Sequence, residues 1–431
     1  MTPGAIAEEL DRLRAAGERL RRRTAREVLE LLARLLDGWR DPGSAWRRRL
    51  EPELAAATGF APAMLHEGLA LALAGWSGEA LLALVARELG DVTRLETGPW
   101  EAPAGGVRVS GFETTSVLLA GALPTPSLLA LLAPLVLRSP VLARPSSHDP
   151  VTARALARAL AELDPELGAC LSVVSFPSDD DAALGAFLGA DCVVATGSDA
   201  TLASVAARVA PPRRLVGYGH RVSFAGLGPE VAGSAALRAA ADRLSLDVAL
   251  FDQLGCLSPV ALFVVGDAAR AARAGEALAA ALAEREARWP RGPAPPEVAA
   301  AIAAERSDAE LRAAAGRPVA LWRSRGTEWT VIAEADTLWR PAPLHRFLRL
   351  HPVPDVAACV AALAPHGPHL AGVALEGFGA AEPALAAALA RLGASRLCRF
   401  GSLQAPPLGW HHDGRGVLAP LARFCDDELR G

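Results

Sequence analysis

The sequence lacks lysine and asparagine altogether, and it holds only one tyrosine and three isoleucines among 431 residues. These four residue types share AT-rich codons, so their scarcity indicates a GC-rich bacterial genome. An arginine at a position where a related protein carries lysine can therefore reflect composition as much as function.

A strong charge excess is also missing. The net charge of −4 and the pI near 6.2 argue against a dedicated nucleic-acid binder.

Residues 114–137 carry no charge and are long enough to span a bilayer, but they contain three prolines. We expect a buried strand, a turn and a core helix there instead of a membrane span. The first thirty residues follow a charged amphipathic helix pattern, so we expect no signal peptide and a cytoplasmic protein.

The six cysteines show neither a CxxC motif nor metal-ligand spacing, so we expect separate reduced thiols and no metal. Cys256 is the candidate nucleophile, because it follows Gly255, has polar flanks and precedes an apolar run. The local sequence leaves open whether it is instead a buried hydrophobic residue. That second interpretation is the one we favour for Cys170, Cys192, Cys359 and Cys398.

The chain is long enough for two or three domains, and it has no internal repeat of solenoid period. Residues 1–95 follow a helical pattern. Short apolar runs then alternate with Ala/Leu-rich helical segments in 96–230 and again in 231–400, and residues 401–431 form a C-terminal segment. This alternation predicts βαβ units, mostly parallel sheets and an α/β fold.

Two turns at predicted strand ends are candidate anion sites. In the first, Thr196, Gly197 and Ser198 lead from a strand into a helix, whose exposed N–H groups and neighbouring hydroxyls suit a phosphate. In the second, Arg144 offers a permanent cation next to Ser146. Ordinary helix capping and turn chemistry explain both turns equally well, and no GxGxxG fingerprint is present.

Several motifs in order along the chain resemble the aldehyde dehydrogenase superfamily, specifically its acyl-CoA reductase branch, the fatty acyl-CoA reductases of bacterial bioluminescence. They are VARELG at 85–90, LAGALP at 119–124, RPS at 144–146, ATGSD at 195–199, GYGHRVS at 217–223, FDQLGCLSP at 251–259 and QAPPLGWHHDG at 404–414. The resemblance implies two Rossmann-like three-layer α/β/α domains preceded by a helical segment, in a homo-oligomer.

The resemblance also implies a function: NADPH-dependent reduction of a long-chain acyl-CoA or related acyl thioester to the aldehyde. Cys256 would form an acyl-S-cysteine intermediate, and His220 would polarise the thiol or carbonyl, unless this histidine is structural. Residues 96–230 would bind the cofactor, residues 231–400 would carry catalysis, and residues 401–431 would return to the cofactor or oligomer side. The cofactor-binding residues implied are Arg144, Ser146, Thr196, Gly197 and Ser198.

Three departures from the superfamily pattern refine this expectation. Residues 215–220 lack the general-base glutamate of hydrolytic members, which favours reduction over hydrolysis of the acyl-enzyme. Ser147 stands where NAD-binding members often carry an acidic residue, which favours NADPH. Ala122 replaces the usual oxyanion asparagine. Two alternatives therefore stay open: a catalytically impaired acyl-binding scaffold that partners an acyl-activating or acyl-transferring protein, and an aldehyde-oxidising dehydrogenase.

Overall fold

A computed structural model describes residues 1–96, 106–231 and 233–428. The chain divides into two compact units, and each unit is assembled from segments that are distant in sequence. The first unit comprises Met1–Thr58, Ala72–His220 and Pro407–Gly431, and the second comprises Gly59–Leu71 and Arg221–Pro406.

The helices alternate with strands through most of the chain, after five helices that precede the first strand. They are α1 Pro3–Leu20, α2 Ala25–Arg40, α3 Ala45–Thr58, α4 Pro62–Ala72, α5 Gly78–Leu89, α6 Pro124–Val136, α7 Thr152–Leu163, α8 Pro165–Gly168, α9 Asp181–Phe187, α10 Asp199–Ala206, α11 Ser234–Ala249, α12 Ala268–Arg288, α13 Pro296–Ala314, α14 Val356–Leu363 and α15 Glu382–Leu392.

The strands are short, three to seven residues each. They are β1 Gly106–Ser110, β2 Thr115–Leu118, β3 Val141–Arg144, β4 Leu171–Val173, β5 Cys192–Thr196, β6 Arg214–Tyr218, β7 Val222–Leu227, β8 Pro259–Val265, β9 Ala320–Arg323, β10 Thr330–Ala333, β11 Phe347–Val353, β12 Leu370–Glu376, β13 Arg396–Cys398 and β14 Arg423–Asp427.

The first unit is built on a parallel sheet of five strands in the order β4-β3-β2-β5-β6, beside an antiparallel pair formed by β1 and β14. All four residues of β2 and four of the five in β5 are buried, as expected for strands with helices on both faces. The register pairs Leu118 of β2 with Arg144 of β3 and Ala195 of β5, so the carboxyl ends of these strands meet at one edge.

The second unit holds a sheet of seven strands in the order β13-β12-β7-β8-β11-β10-β9, in which only β9 runs antiparallel to its neighbour. One face carries an apolar cluster in which Phe224 of β7, Phe263 of β8 and Leu375 of β12 are buried under α14 and α15. β8 lies near the centre of this sheet, so the segment that enters β8 is held on a rigid element.

The predicted alternation of strands and helices is confirmed, and one of the Ala/Leu-rich segments in 231–400 forms the 21-residue helix α12. The chargeless stretch 114–137 folds as β2 and α6, with Pro124 and Pro126 in the first turn of the helix. No helix in the described part of the chain is both long and apolar enough to cross a membrane.

Candidate active site

Arg144 lies at the carboxyl end of β3, where its guanidinium packs on Phe176. The Nη2 atom donates to the Phe176 carbonyl at 3.1 Å, and the guanidinium carbon lies 4.7 Å from the ring centroid. Burial lowers the pKa of Arg144, and within the described residues its Nε atom has no hydrogen-bond partner. This strand end therefore carries a half-buried cation with unused donor capacity.

The turn after Arg144 is occupied by its own hydrogen bonds. Ser146 is buried, and its Oγ accepts from the His148 N–H at 3.0 Å. Asp149 accepts from the N–H of Thr152, the first residue of α7, at 2.9 Å. Turn and helix-start chemistry thus accounts for Ser146, while Arg144 is the side chain here that a ligand could still engage.

The turn between β5 and α10 is a compact capped helix start. The Ser198 Oγ accepts from the Thr201 N–H at 3.2 Å, and the Gly197 N–H donates to the Tyr218 carbonyl at 3.1 Å. A Cβ on Gly197 would lie 3.0 Å from Thr201 Cγ2, so glycine keeps this turn tight. Thr196 is half-buried at the strand end. The capping interpretation holds for Ser198, and the N–H groups of the first turn of α10 lie at a helix end whose dipole favours an anion.

His220 follows β6 at the same edge of the sheet. Its side chain is exposed, and its backbone N–H donates to Asp199 Oδ1 at 2.9 Å. A Cβ on Gly219 would lie 2.6 Å from that same oxygen, so only glycine allows the approach. The structure therefore brings His220 next to the start of α10. All five predicted cofactor residues lie with it in the first unit, whereas Cys256 lies in the second.

Cys256 occupies the second position of a tight turn just ahead of β8. The Ser258 N–H donates to the Gly255 carbonyl at 2.9 Å and closes the turn. The thiol is half-buried and forms no disulfide. Its backbone is thus ordered, while the side chain remains partly accessible.

Four of the other five thiols are less suited to nucleophilic attack. Burial raises the pKa of Cys170, Cys192 and Cys359 to about 12 and that of Cys398 to about 11, so their thiolate forms are scarce near neutral pH. The expected burial is confirmed for the first three, and Cys398 is half-buried. Cys425 is exposed on β14.

The polar residues that flank Cys256 do not face solvent. Asp252, Gln253 and Ser258 are all buried. Asp252 Oδ1 accepts from Arg346 Nη2 at 2.7 Å, and Gln253 Nε2 donates to the carbonyls of Pro259 and Phe347. The buried hydrogen bonds of these side chains hold the Cys256 loop against the start of β8 and of β11.

Asp247 of α11 extends this support. Its carboxylate accepts from the N–H groups of Gly401 at 2.7 Å and Leu403 at 2.8 Å. Gln404 of the same segment donates through Nε2 to Ser258 Oγ at 2.8 Å. Burial raises the pKa of Asp247 to about 7. Sequence reasoning missed this residue, because nothing within α11 marks one aspartate as buried.

We expect Asp247→Asn to remove a pH-dependent part of the stability. An acid whose pKa rises to about 7 on folding contributes stability that is full below about pH 4 and is lost as pH rises to about 7. The asparagine side chain cannot accept both N–H bonds, so the variant should lose about 1–3 kcal/mol at low pH and less above about pH 7. Urea unfolding across this range measures it.

Asp242→Asn provides the control, since Asp242 is an exposed carboxylate of the same helix that pairs with Arg285. A loss for Asp247→Asn that is the same at every pH would contradict the prediction.

Comparison with known proteins identifies the family. The sequence model described as acyl-CoA reductase (LuxC) matches residues 20–424. The chain belongs to the acyl-CoA reductase family. The family predicted from the order of the motifs is thereby confirmed.

Named relatives agree with this family. A long-chain acyl-protein thioester reductase of Vibrio harveyi is 28% identical over 236 residues, which cover 53% of this chain and 48% of that protein. The protein of the same name from Photorhabdus laumondii is 27% identical over 154 residues, covering 35% of this chain and 31% of that protein. The matched part of the chain thus spans only 31% to 48% of the length of these relatives.

Solved structures confirm the aldehyde dehydrogenase fold. The NADP-dependent glyceraldehyde-3-phosphate dehydrogenase from Bacillus halodurans superposes with a TM-score of 0.73 at 12% identity, covering 99% of this chain and 91% of that chain. The NAD-dependent benzaldehyde dehydrogenase from Corynebacterium glutamicum superposes with a TM-score of 0.69 at 14% identity, covering 99% of this chain and 89% of that chain.

In the described ranges, no cluster of three or more His, Cys, Asp or Glu residues is placed to hold a metal ion.

Proposed function

We propose that this chain reduces an acyl thioester to an aldehyde with NADPH, through an acyl intermediate on Cys256. The observation that carries the proposal is a half-buried thiol, held in an ordered turn at the head of β8, in a member of the acyl-CoA reductase family. The second unit then carries catalysis, and the first unit binds the cofactor.

The proposed chemistry begins with the Cys256 thiolate, which attacks the thioester carbonyl. The new C–S bond forms as the bond to the donor sulfur breaks, and the donor thiolate takes a proton from solvent. NADPH, when bound, supplies a hydride to the acyl carbon. The resulting thiohemiacetal oxyanion collapses as the carbon–sulfur bond breaks, which releases the aldehyde and returns the electron pair to the cysteine sulfur.

The acyl-enzyme must survive until the hydride arrives. Residues 215–220 contain no carboxylate that could activate water, and the exposed side chain at that point is His220. We propose that His220 polarises the thiol or the carbonyl. The missing base favours reduction over release of the carboxylic acid.

The first unit suits a phosphorylated dinucleotide. The first turn of α10 offers N–H groups to a pyrophosphate beside Thr196, Gly197 and Ser198. Arg144 supplies a cation whose buried Nε has no partner within the described residues. A 2′-phosphate would satisfy both its charge and this donor, whereas a ribose hydroxyl would not need a cation. We therefore propose NADPH as the cofactor.

Arg144→Gln is expected to raise KM for NADPH by about ten- to a hundredfold, because one charge-assisted contact to the phosphate is lost. KM for NADH should change by less than about threefold. Arg154→Gln is the matched control. Arg154 of α7 is exposed, and its guanidinium donates to the Pro150 carbonyl. An equal rise for both cofactors would contradict the proposed role of Arg144.

The acyl donor is either a free acyl-CoA or an acylated protein. The relatives' name, acyl-protein thioester reductase, favours a donor carried on a partner protein. We propose that an acyl-activating or acyl-transferring protein supplies the acyl group, and that the chain acts as a homo-oligomer in the cytoplasm, where thiols stay reduced.

The test is incubation with NADPH and acetyl-, octanoyl- or hexadecanoyl-CoA, followed by capture of the aldehyde and mass spectrometry of the protein. Aldehyde together with an acyl adduct on Cys256 is expected. The absence of an acyl adduct on Cys256 would favour the acyl-binding scaffold, an alternative raised by Ala122 in place of the oxyanion asparagine. Acid formed from aldehyde and NADP⁺ would favour the oxidising dehydrogenase.

A further inference from the structure

The central strands of the second unit are irregular at one point, beside the Cys256 turn. In the pairing of β7 with β8, Ser223 faces Pro259 and Ala225 faces Leu262, so one residue of β7, Phe224, opposes two of β8. The pairing of β7 with β12 shifts by the same amount, between Leu370 and Val373. Two bulges therefore flank one short stretch of β7, and bulges beside active sites commonly re-aim a side chain.

Ser223 lies in this irregular stretch of β7. Its side chain is fully buried. The Ser223 Oγ donates to the Cys256 carbonyl at 2.7 Å and accepts from the Gly372 N–H at 3.0 Å. The hydroxyl thus links β12 to the Cys256 turn through two hydrogen bonds that polarise each other.

Glycine at 372 makes this approach possible. A Cβ there would lie 3.0 Å from Leu403 Cδ2, 3.2 Å from Leu257 Cδ2 and 3.3 Å from Ser223 Oγ. The Ser223 hydroxyl, the Cys256 turn and β12 are therefore in close contact, with little space for the turn to relax.

The carbonyl that Ser223 holds belongs to the central peptide of the turn, which joins Cys256 to Leu257. Rotation of that peptide is what interconverts the common turn types, and it swings the backbone of the second residue by more than a right angle. A hydrogen bond to the Cys256 carbonyl selects one orientation. The same contact ties the Cys256 backbone to β7 and, through Ser223, to β12, and so it limits movement of the Cα atom that carries the thiol.

We propose that Ser223 is a positioning residue, which fixes the Cys256 turn so that the thiol meets a bound acyl thioester at a productive angle. The inference rests on the proposed function, because it takes Cys256 as the nucleophile. Ser223 acts through the backbone of Cys256 and does not itself touch the substrate.

The experiment compares Ser223→Ala, Ser223→Thr and Ser245→Ala with the unchanged protein. Ser245 is a matched control, since it is a fully buried serine of the same unit whose hydroxyl also donates to a backbone carbonyl, that of Asp242, at 2.6 Å. Two rates are measured on Cys256 by mass spectrometry: acylation by octanoyl-CoA, and alkylation by iodoacetamide. The alkylation rate is normalised to that of the exposed Cys425.

We expect Ser223→Ala to slow acylation by about tenfold or more, with KM for octanoyl-CoA and iodoacetamide alkylation changed by less than about twofold. Acylation depends on the angle of attack at a bound carbonyl, whereas alkylation by a small freely diffusing reagent does not. Ser223→Thr keeps the hydroxyl and should restore most of the acylation rate. Ser245→Ala should leave both rates unchanged.

Two results would overturn the inference. Equal acylation rates in Ser223→Ala and the unchanged protein would exclude the positioning role of Ser223, while the proposed function would stand. Alkylation of the buried Cys170 or Cys359 in Ser223→Ala would show general loosening of the fold instead, and would also exclude it. Failure of the proposed function has a separate signature, because the unchanged protein would then form no acyl adduct on Cys256, and the inference would fall with it.

Discussion

Cys256→Ala is expected to lower aldehyde formation by at least about a thousandfold and to abolish the acyl adduct, the largest effect that any single substitution should have on activity. The sulfur atom forms the bond that holds the acyl group, and alanine offers no substitute. Alanine is a better choice than serine because it leaves no hydroxyl that could be acylated slowly. The measurements are NADPH oxidation with hexadecanoyl-CoA and the intact mass of the protein.

Cys398→Ala serves as the control for thiol loss in the same unit. Cys398 is also half-buried, but burial raises the pKa of its thiol to about 11. Its removal should leave the rate of aldehyde formation unchanged. Aldehyde formation by Cys256→Ala at the parental rate would exclude covalent catalysis at this residue.

Most of the fold could be predicted because its signals are local. The apolar run at the head of β8 and the helical periodicity of α12 lie within single segments of the sequence. The start of α10 could be predicted for the same reason. A strand followed by a glycine turn and a capping serine is recognisable without knowledge of any distant residue.

The support of the Cys256 loop could not be predicted, since its partners are far apart in the sequence. Phe251, Asp252 and Gln253 all have positive φ, between 50° and 64°. Residues 344–346 form a second left-handed turn, with φ between 56° and 64°. Each such residue costs about 1–2 kcal/mol, and phenylalanine and glutamine give no local hint of it.

The two left-handed turns are joined by side chains that lie 94 residues apart in sequence. Asp252 of the first turn pairs with Arg346 of the second, and Gln253 Oε1 accepts from the Phe347 N–H at 2.7 Å. In the sequence, Asp252 and Gln253 are recognisable only as polar flanks of a candidate nucleophile. The structure shows that these polar groups hold strained backbone in place, which is how such conformations persist.

Arg346→Met is therefore expected to destabilise the second unit by about 3–5 kcal/mol, the largest stability loss we predict. Arg346 is fully buried and lies 2.7 Å from both Asp252 Oδ1 and Glu286 Oε2. Its Nη1 also donates to the Trp289 carbonyl at 2.8 Å. Methionine fills similar volume but leaves two carboxylates without their cation. The urea midpoint measures the loss, and acylation of Cys256 should fall with it.

Arg399→Met separates this effect from the loss of an arginine in general. Arg399 also makes a two-armed pair, with Glu382, but it is 58% exposed, so solvent screens the interaction. Its replacement should change the free energy of unfolding by less than about 1 kcal/mol. Losses of equal size in the two variants would mean that burial of the Asp252–Arg346 pair does not stabilise the strained turns. The Cys256 loop would then owe its conformation to packing alone.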